Sequence, residues 1–225
     1  ERVNSALVFR DVPAARRRLE VGPAAAGVRA GWVLSEKGDV VFDENGTTLF
    51  LGTKAQEEEL EEWDVGEELP LADVNIWHWR DDRIQSQQQR ELQRDRNRTY
   101  VAAVHPEEGR VVHLADDRMR TVEITPDGRW GIGRDDRDHV SDWKPEVADF
   151  YRIDTRTGER VPVLEAHFRT LGLSPDSGHW LYWSGGHVWD YRIGENQHVN
   201  LTERAPVDFT DAEFDRFGEK PPYGI

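Results

Sequence analysis

Along most of this chain, apolar and polar residues alternate in short runs, each stopping at a cluster of Gly, Pro, Asp or Asn. A period of two is what a half-buried strand requires, because successive side chains leave opposite faces. One stretch states the pattern twice. Ile124-Thr125-Pro126-Asp127-Gly128-Arg129-Trp130 returns 49 residues later as Leu173-Ser174-Pro175-Asp176-Ser177-Gly178-His179-Trp180. Pro126 suits the second position of a type I turn and Gly128 the fourth. Ser177 reads as an inserted residue, so the second loop is expected to be one residue longer. Each copy is followed by another hairpin. Asp149–Ile153 turns through Thr155-Arg156-Thr157-Gly158 into Arg160–Leu164, and Val188–Ile193 turns through Gly194-Glu195-Asn196 into His198–Thr202. Two consecutive hairpins predict a four-stranded antiparallel sheet, and its recurrence is the signature of β-propeller blades.

Earlier segments follow the same phrasing. Ala6–Arg10 and Arg17–Val21 predict a closing hairpin around Asp11-Val12-Pro13-Ala14, against a short helix over Ala14–Leu19 that propensity also permits. Gly22–Gly31 reads as a loop between blades. Trp32–Thr53 predicts an opening hairpin turning at Asn45-Gly46. Residues 54–70, with Glu57-Glu58-Glu59, Glu61-Glu62 and Glu67-Glu68, form an acidic insertion, solvated by default, with docking of a cationic peptide end or calcium as the alternative. Asp73–Arg80 alternates as a strand with Trp77 and Trp79 on one face, either filling the space between blades or forming an aromatic shelf, and with His78 on the other. Residues 82–98 read as a short polar helix or an irregular excursion, since only Ile84 and Leu92 are apolar. Thr99–Val104 and Arg110–Leu114 close that unit. The tail ending in Lys220-Pro221-Pro222-Tyr223-Gly224-Ile225 reads as a linker.

The expected fold is therefore all-β: a partial β-propeller of about three four-stranded antiparallel blades plus a leading hairpin. Residues 1–31 would hold the hairpin and linker, 32–118 a blade enlarged by the two insertions, 119–167 and 168–203 two ordinary blades, and 204–225 the linker. Isolated from the remainder of a ring, such a set would expose blade faces and open edges.

Composition refines this picture. Hydrophobic residues are 37% of the total, but aromatics reach 10% with nine Trp, a load that a disordered chain does not carry. A net charge of −15 argues against a nucleic-acid backbone as partner, and Arg16-Arg17-Arg18 is too short to reverse that. Without cysteine there is neither a disulfide nor a thiolate metal site. No apolar run approaches the roughly 20 residues that span a bilayer.

Candidate chemistry is sparse. No G-x-S-x-G elbow exists; the nearest run is Tyr182-Trp183-Ser184-Gly185-Gly186, which reads as a hairpin turn. There is no H-E-x-x-H, and Gly131-Ile132-Gly133 lacks the third glycine of a phosphate loop. Asp135-Asp136-Arg137-Asp138-His139 could offer a metal its carboxylates and imidazole, but reads as an exposed connection between strands. The Asp43/Asn45/Gly46 spacing lacks the flanking ligands of a calcium loop. The reading is no catalytic, metal or cofactor residues, with substrate-binding residues unassigned.

The run Val74-Asn75-Ile76-Trp77-His78-Trp79-Arg80-Asp81, with Arg83-Ile84-Gln85-Ser86-Gln87-Gln88-Gln89, resembles the propeller region of large bacterial serine peptidases of the prolyl oligopeptidase and dipeptidyl-peptidase kind. Asp149-Phe150-Tyr151-Arg152-Ile153-Asp154, Thr157-Gly158-Glu159-Arg160, Leu173-Ser174-Pro175-Asp176 and Lys220-Pro221-Pro222 fit the same family. The likeness runs from about Trp32 onward. It implies a propeller capping an α/β-hydrolase domain of the same polypeptide, which supplies the Ser-Asp-His triad while the propeller restricts entry to small peptides. It also points to a periplasmic or secreted location. Some relatives hold a substrate's amino end with propeller glutamates, a role that no Glu pair here matches. The expectation is a non-catalytic, gating segment of a serine peptidase; the alternative is a stand-alone repeat protein that binds peptides or proteins without catalysis.

Overall fold

A computed structural model of the protein describes residues 3–10, 17–56, 78, 81, 83–140 and 147–205. The acidic block from 57 onward, the strand expected around Trp77 and Trp79, and the tail from 206 lie outside the described residues. The leading hairpin forms from β1 (Ala6–Arg10) and β2 (Arg17–Val21), paired antiparallel from Ala6↔Val21 to Arg10↔Arg17.

Three antiparallel sheets follow in chain order. Sheet I contains β3 (Trp32–Leu34), β4 (Val40–Phe42), β5 (Leu49–Ala55), β6 (Tyr100–His105) and β7 (Arg110–His113). Sheet II runs β8 (Thr121–Ile124), β9 (Trp130–Asp135), β10 (Ala148–Asp154), β11 (Arg160–His167). Sheet III runs β12 (Thr170–Leu173), β13 (His179–Ser184), β14 (His187–Arg192), β15 (Gln197–Asn200). Sheets II and III are built of sequential neighbours, sheet I departs from this only in β3 and β4, and consecutive sheets pack face to face. This is a partial β-propeller of three blades with a leading hairpin.

Sheet I has a surplus strand because its first strand is broken. β3 pairs with Thr53–Ala55 and β4 with Leu49–Leu51, so both lie on the same edge of β5. The link between them crosses Gly52 so closely that a Cβ on Gly38 would lie 2.5 Å from the Gly52 Cα. The Gly22–Gly31 segment is more than a connector. Ala26 bridges Arg110 in parallel and accepts from the Val111 amide (2.8 Å), covering the outer edge of β7.

The two repeated loops prove equal in length, which corrects the expected insertion. Thr125 N donates to Trp130 O (2.9 Å) and Ser174 N to His179 O (2.9 Å), so His179, not Trp180, is the counterpart of Trp130. Ser177 occupies the place of Gly128; both have positive φ, 64° and 72°. Both loops carry the same clip. Thr125 Oγ1 donates to Asp127 Oδ1 (2.6 Å) and accepts from Trp130 N (3.0 Å); Ser174 Oγ donates to Asp176 Oδ1 (2.5 Å) and accepts from His179 N (3.0 Å). The S/T-P-D run is thus a self-contained turn whose hydroxyl replaces missing ladder partners.

Period-two alternation places the core between layers. Ala102 and Val104 face the hairpin side with Val21, Leu34, Leu49 and Leu51, while Ala103 faces sheet II with Leu114, Met119 and Ile153. Between sheets II and III lie Phe150, Trp180, Tyr191 and Ile193, with Phe150 and Trp180 ring centroids 5.1 Å apart. Burying each such side chain contributes about 1.5–3 kcal/mol. The Gln-rich segment resolves as a helix, α1 (Gln85–Arg96), inserted between β5 and β6 with no buried residue. Helix-favouring Gln, Arg and Glu and the i,i+3 ion pair Glu91–Arg94 (2.8 Å) stabilise it. Arg83 clasps both Glu91 and Asp95 from the preceding turn.

Candidate functional site

The first strands of sheets I and II do not close against each other. Between them lies a cleft of about 450 Å³, walled on one side by Val41, Phe42 and Phe50 and on the other by Val122 and Ile124. β4 stands at the open side of this cleft, so its side chains are exposed; Val41 is 56% accessible and Phe42 48%. At one end the turns of the two blades are tied together: Glu44 N donates to Pro126 O (3.1 Å), and Asp43 caps its own turn by accepting from the Thr47 and Thr48 amides (2.6 and 3.0 Å). The next blade joins the series where Asp127 N donates to Ser177 Oγ (2.9 Å).

Asp39, immediately before β4, and Arg120, immediately before β8, also line the cleft. Arg120 donates through Nε to the Asp117 carbonyl (3.1 Å), while Asp117 accepts from the Tyr100 phenol (2.6 Å). Burial, and then the Asp117 carboxylate, push the Tyr100 pKa up, so the phenol stays a donor. The cleft therefore has apolar walls and charged groups of both signs. Such a recess suits an apolar side chain on a polar backbone, within the usual size range of small-ligand sites of about 300–1,000 Å³.

The residues weighed for chemistry are dispersed. Ser184 ends β13; its carbonyl accepts from Trp189 Nε1 (3.1 Å) ahead of the Gly185-Gly186 turn. Two histidines carry carboxylate partners, His139 with Asp149 (2.8 Å) and His179 with Asp190 (2.9 Å); among the described residues neither ring meets a serine hydroxyl. Burial would raise the Asp149 carboxyl, yet the Ala166 amide and His139 outweigh it and hold the pKa below the ordinary range. In Asp135-Asp136-Arg137-Asp138-His139 the carboxylates are drawn to arginines: Asp136 to Arg134, Asp138 to Arg118 (2.6 Å) and Asp135 to Arg118 (3.5 Å). Among the described residues no group of three His, Asp or Glu side chains converges as metal ligands would. His78 is exposed, its amide donating to Asp81 Oδ2 (3.0 Å). No described helix is long and apolar enough to cross a membrane.

One feature escaped the residue-by-residue reading. Six arginines, Arg83, Arg94, Arg98, Arg120, Arg134 and Arg137, line a single recess between α1 and the connection after β9. The available signal was the helical stripe Arg83, Gln87, Glu91, Arg94, Arg98, at steps of four, four, three and four.

No family model matches the sequence, and no curated protein matches it. Solved structures similar to this chain include TolB from Acinetobacter baumannii, 14% identical over 88% of this chain and 40% of that one, with TM-score 0.34. A candidate dipeptidyl aminopeptidase IV from Bacteroides ovatus is 12% identical over 85% of this chain and 30% of that one, TM-score 0.36. An oligogalacturonate lyase from Vibrio parahaemolyticus is 9% identical over 84% of this chain and 62% of that one, TM-score 0.29. This chain thus spans less than two thirds of each of the three, and its fold is read from its own sheets.

Proposed function

We propose that this chain is a non-catalytic propeller segment of a larger serine peptidase of the prolyl-oligopeptidase kind, lying over a hydrolase domain and gating peptide entry. The observation that carries the reading is the apolar cleft between the first strands of sheets I and II, with Asp39 and Arg120 on its lining. An extended peptide offers an apolar side chain to such walls and its polar groups to the charged lining.

The test is to express the full natural reading frame and treat it with a fluorophosphonate probe. Labelling of a serine in a G-x-S-x-G elbow outside these 225 residues is the expected result. A full-length protein that binds peptides but does not label would instead establish the second reading, a peptide-binding repeat protein. That reading draws on the same cleft, which is formed entirely by this chain.

A further inference from the structure

We propose that the recess between α1 and the connection after β9 binds a small polyanion, a ligand carrying two or more phosphate or carboxylate groups. The recess has a volume of about 470 Å³ and, among the described residues, is lined by six arginines against two carboxylates, Glu91 and Asp136. Counting Asp95, which pairs with Arg83 and Arg98 just behind the wall, the imbalance is still six to three. This concentration occurs in a chain whose net charge is −15.

A structural ion-pair network accounts for part of it. Arg83 and Arg94 meet Glu91, Arg98 meets Asp95 and Arg134 meets Asp136. Arg120 and Arg137 are left over. Among the described residues, Arg120 spends only its Nε, on the Asp117 carbonyl, and Arg137 makes a backbone bond to Asp135 Oδ1 (3.2 Å) but no ion pair. A guanidinium stays charged at any ordinary pH and presents its donors in a fork matched to phosphate or carboxylate oxygens. Two such cations lining one cavity repel each other, and an anion bound there would relieve that repulsion.

The elements explain why the charges converge. α1 lies in the connection between the second and third strands of sheet I, and Asp136–Val140 begin the corresponding connection, from β9 to β10, in sheet II; sheet III has only the tight turn Gly185-Gly186 there. α1 buries no residue, and Ile84 and Leu92 are exposed, so apolar packing does not explain its placement opposite blade II. A bridging anion would tie the helix to that blade through charge-assisted hydrogen bonds. Gln87 and Thr121 add neutral donors, and Val140 and Val147 supply an apolar patch on the lining. The recess shares Arg120 and Thr121 with the peptide cleft, but its remaining lining is its own.

The experiment titrates the 225-residue chain with inorganic pyrophosphate and with citrate by calorimetry at low ionic strength, alongside hydrogen exchange of α1. Saturable binding of at least one is expected, weakening as salt rises and slowing exchange in α1. Arg120→Gln/Arg137→Gln should weaken it at least tenfold and abolish the added protection, whereas Arg90→Gln, on the solvent side of α1, should leave both unchanged. Binding of pyrophosphate alone assigns a phosphate ligand, of citrate alone a carboxylate ligand, and of both a site blind to the difference; each supports the proposal. No saturation by either probe, a double variant that binds as well as the parent, or an equal loss in Arg90→Gln would overturn it. No peptide or turnover enters the readout, so it succeeds or fails independently of the peptidase reading.

Discussion

His113 is kept neutral by the way its two ring nitrogens are used. Nε2 accepts from the Arg29 amide (3.1 Å), which places the proton on Nδ1, facing Thr53 Oγ1 at 3.4 Å, and Trp32 packs edge-on at 5.4 Å. Burial, and then the Arg29 charge, push its pKa down to about 4. An unfolded histidine titrates near 6.5, so between these values the unfolded chain binds a proton that the fold refuses. The stabilisation is complete above about pH 6.5 and drains as pH falls toward 4. His198, also lowered by burial, acts in the same direction. The lowered carboxyls, such as Asp116, contribute stability that is present above the ordinary aspartate range and lost only as pH falls through their depressed values. Urea unfolding at about pH 5 should therefore show a loss on the order of 1 kcal/mol relative to about pH 7.5, and His113→Gln should flatten that step. An undiminished step in the variant would place the titration elsewhere. Ser177 shows what residue-level reading misses. Glycine at Gly128 announces positive φ, but nothing in the sequence says that a serine fills the equivalent place while its hydroxyl accepts from the neighbouring blade.

Among elements, the broken strand of sheet I is the most constrained. Its link passes Gly52 backbone to backbone, and Ser35 N donates to Gly52 O (3.0 Å) to hold it there. Gly38→Ala places a Cβ against main chain that cannot rotate aside, so a cost on the order of 1–3 kcal/mol is expected in urea unfolding. Gly194→Ala, with nothing within 4 Å of the added methyl, should stay within about 0.5 kcal/mol. Equal midpoints for the two would show that β3 and β4 tolerate displacement. The turn at Asn45-Gly46 and the hairpins at 155–158 and 194–196 were legible because Gly, Asn and Asp there answer to local sterics: Gly46, Gly158 and Asn196 all have positive φ. The break in the strand was not legible, since it depends on a glycine fourteen positions away. For α1 the helical alternative was visible in its propensities, but the partners of its arginines were not.

At the scale of the whole molecule, the layers end in apolar surface. Leu7 and Phe9 on the outer face of the leading hairpin are 45% and 50% exposed, and Phe168, Leu171 and Leu201 are exposed around sheet III. Outer strands β11 and β15 each pair on one side only within their sheets. Open edges and apolar faces of this kind recruit further strands or copies. Sedimentation velocity of the isolated chain should show mass rising with concentration, and charged replacements at Leu7 and Phe9 should reduce it. A monodisperse monomer that melts cooperatively across the concentration range would refute this account.

The amino-acid sequence by itself determined the class of fold, because period-two alternation and turn chemistry act over a few residues and need no distant partner. It also determined the repeat, since the clip made by Thr125 and Asp127 is remade by Ser174 and Asp176 within each loop. Only the tertiary structure decided where charge collects. Arg83, Arg120 and Arg137 are far apart in sequence, and among interleaved acids each looks neutralised; their convergence on one recess is set by how neighbouring blades present their connections. Local physics writes the strands, and the packing of one layer on the next assembles the cavities.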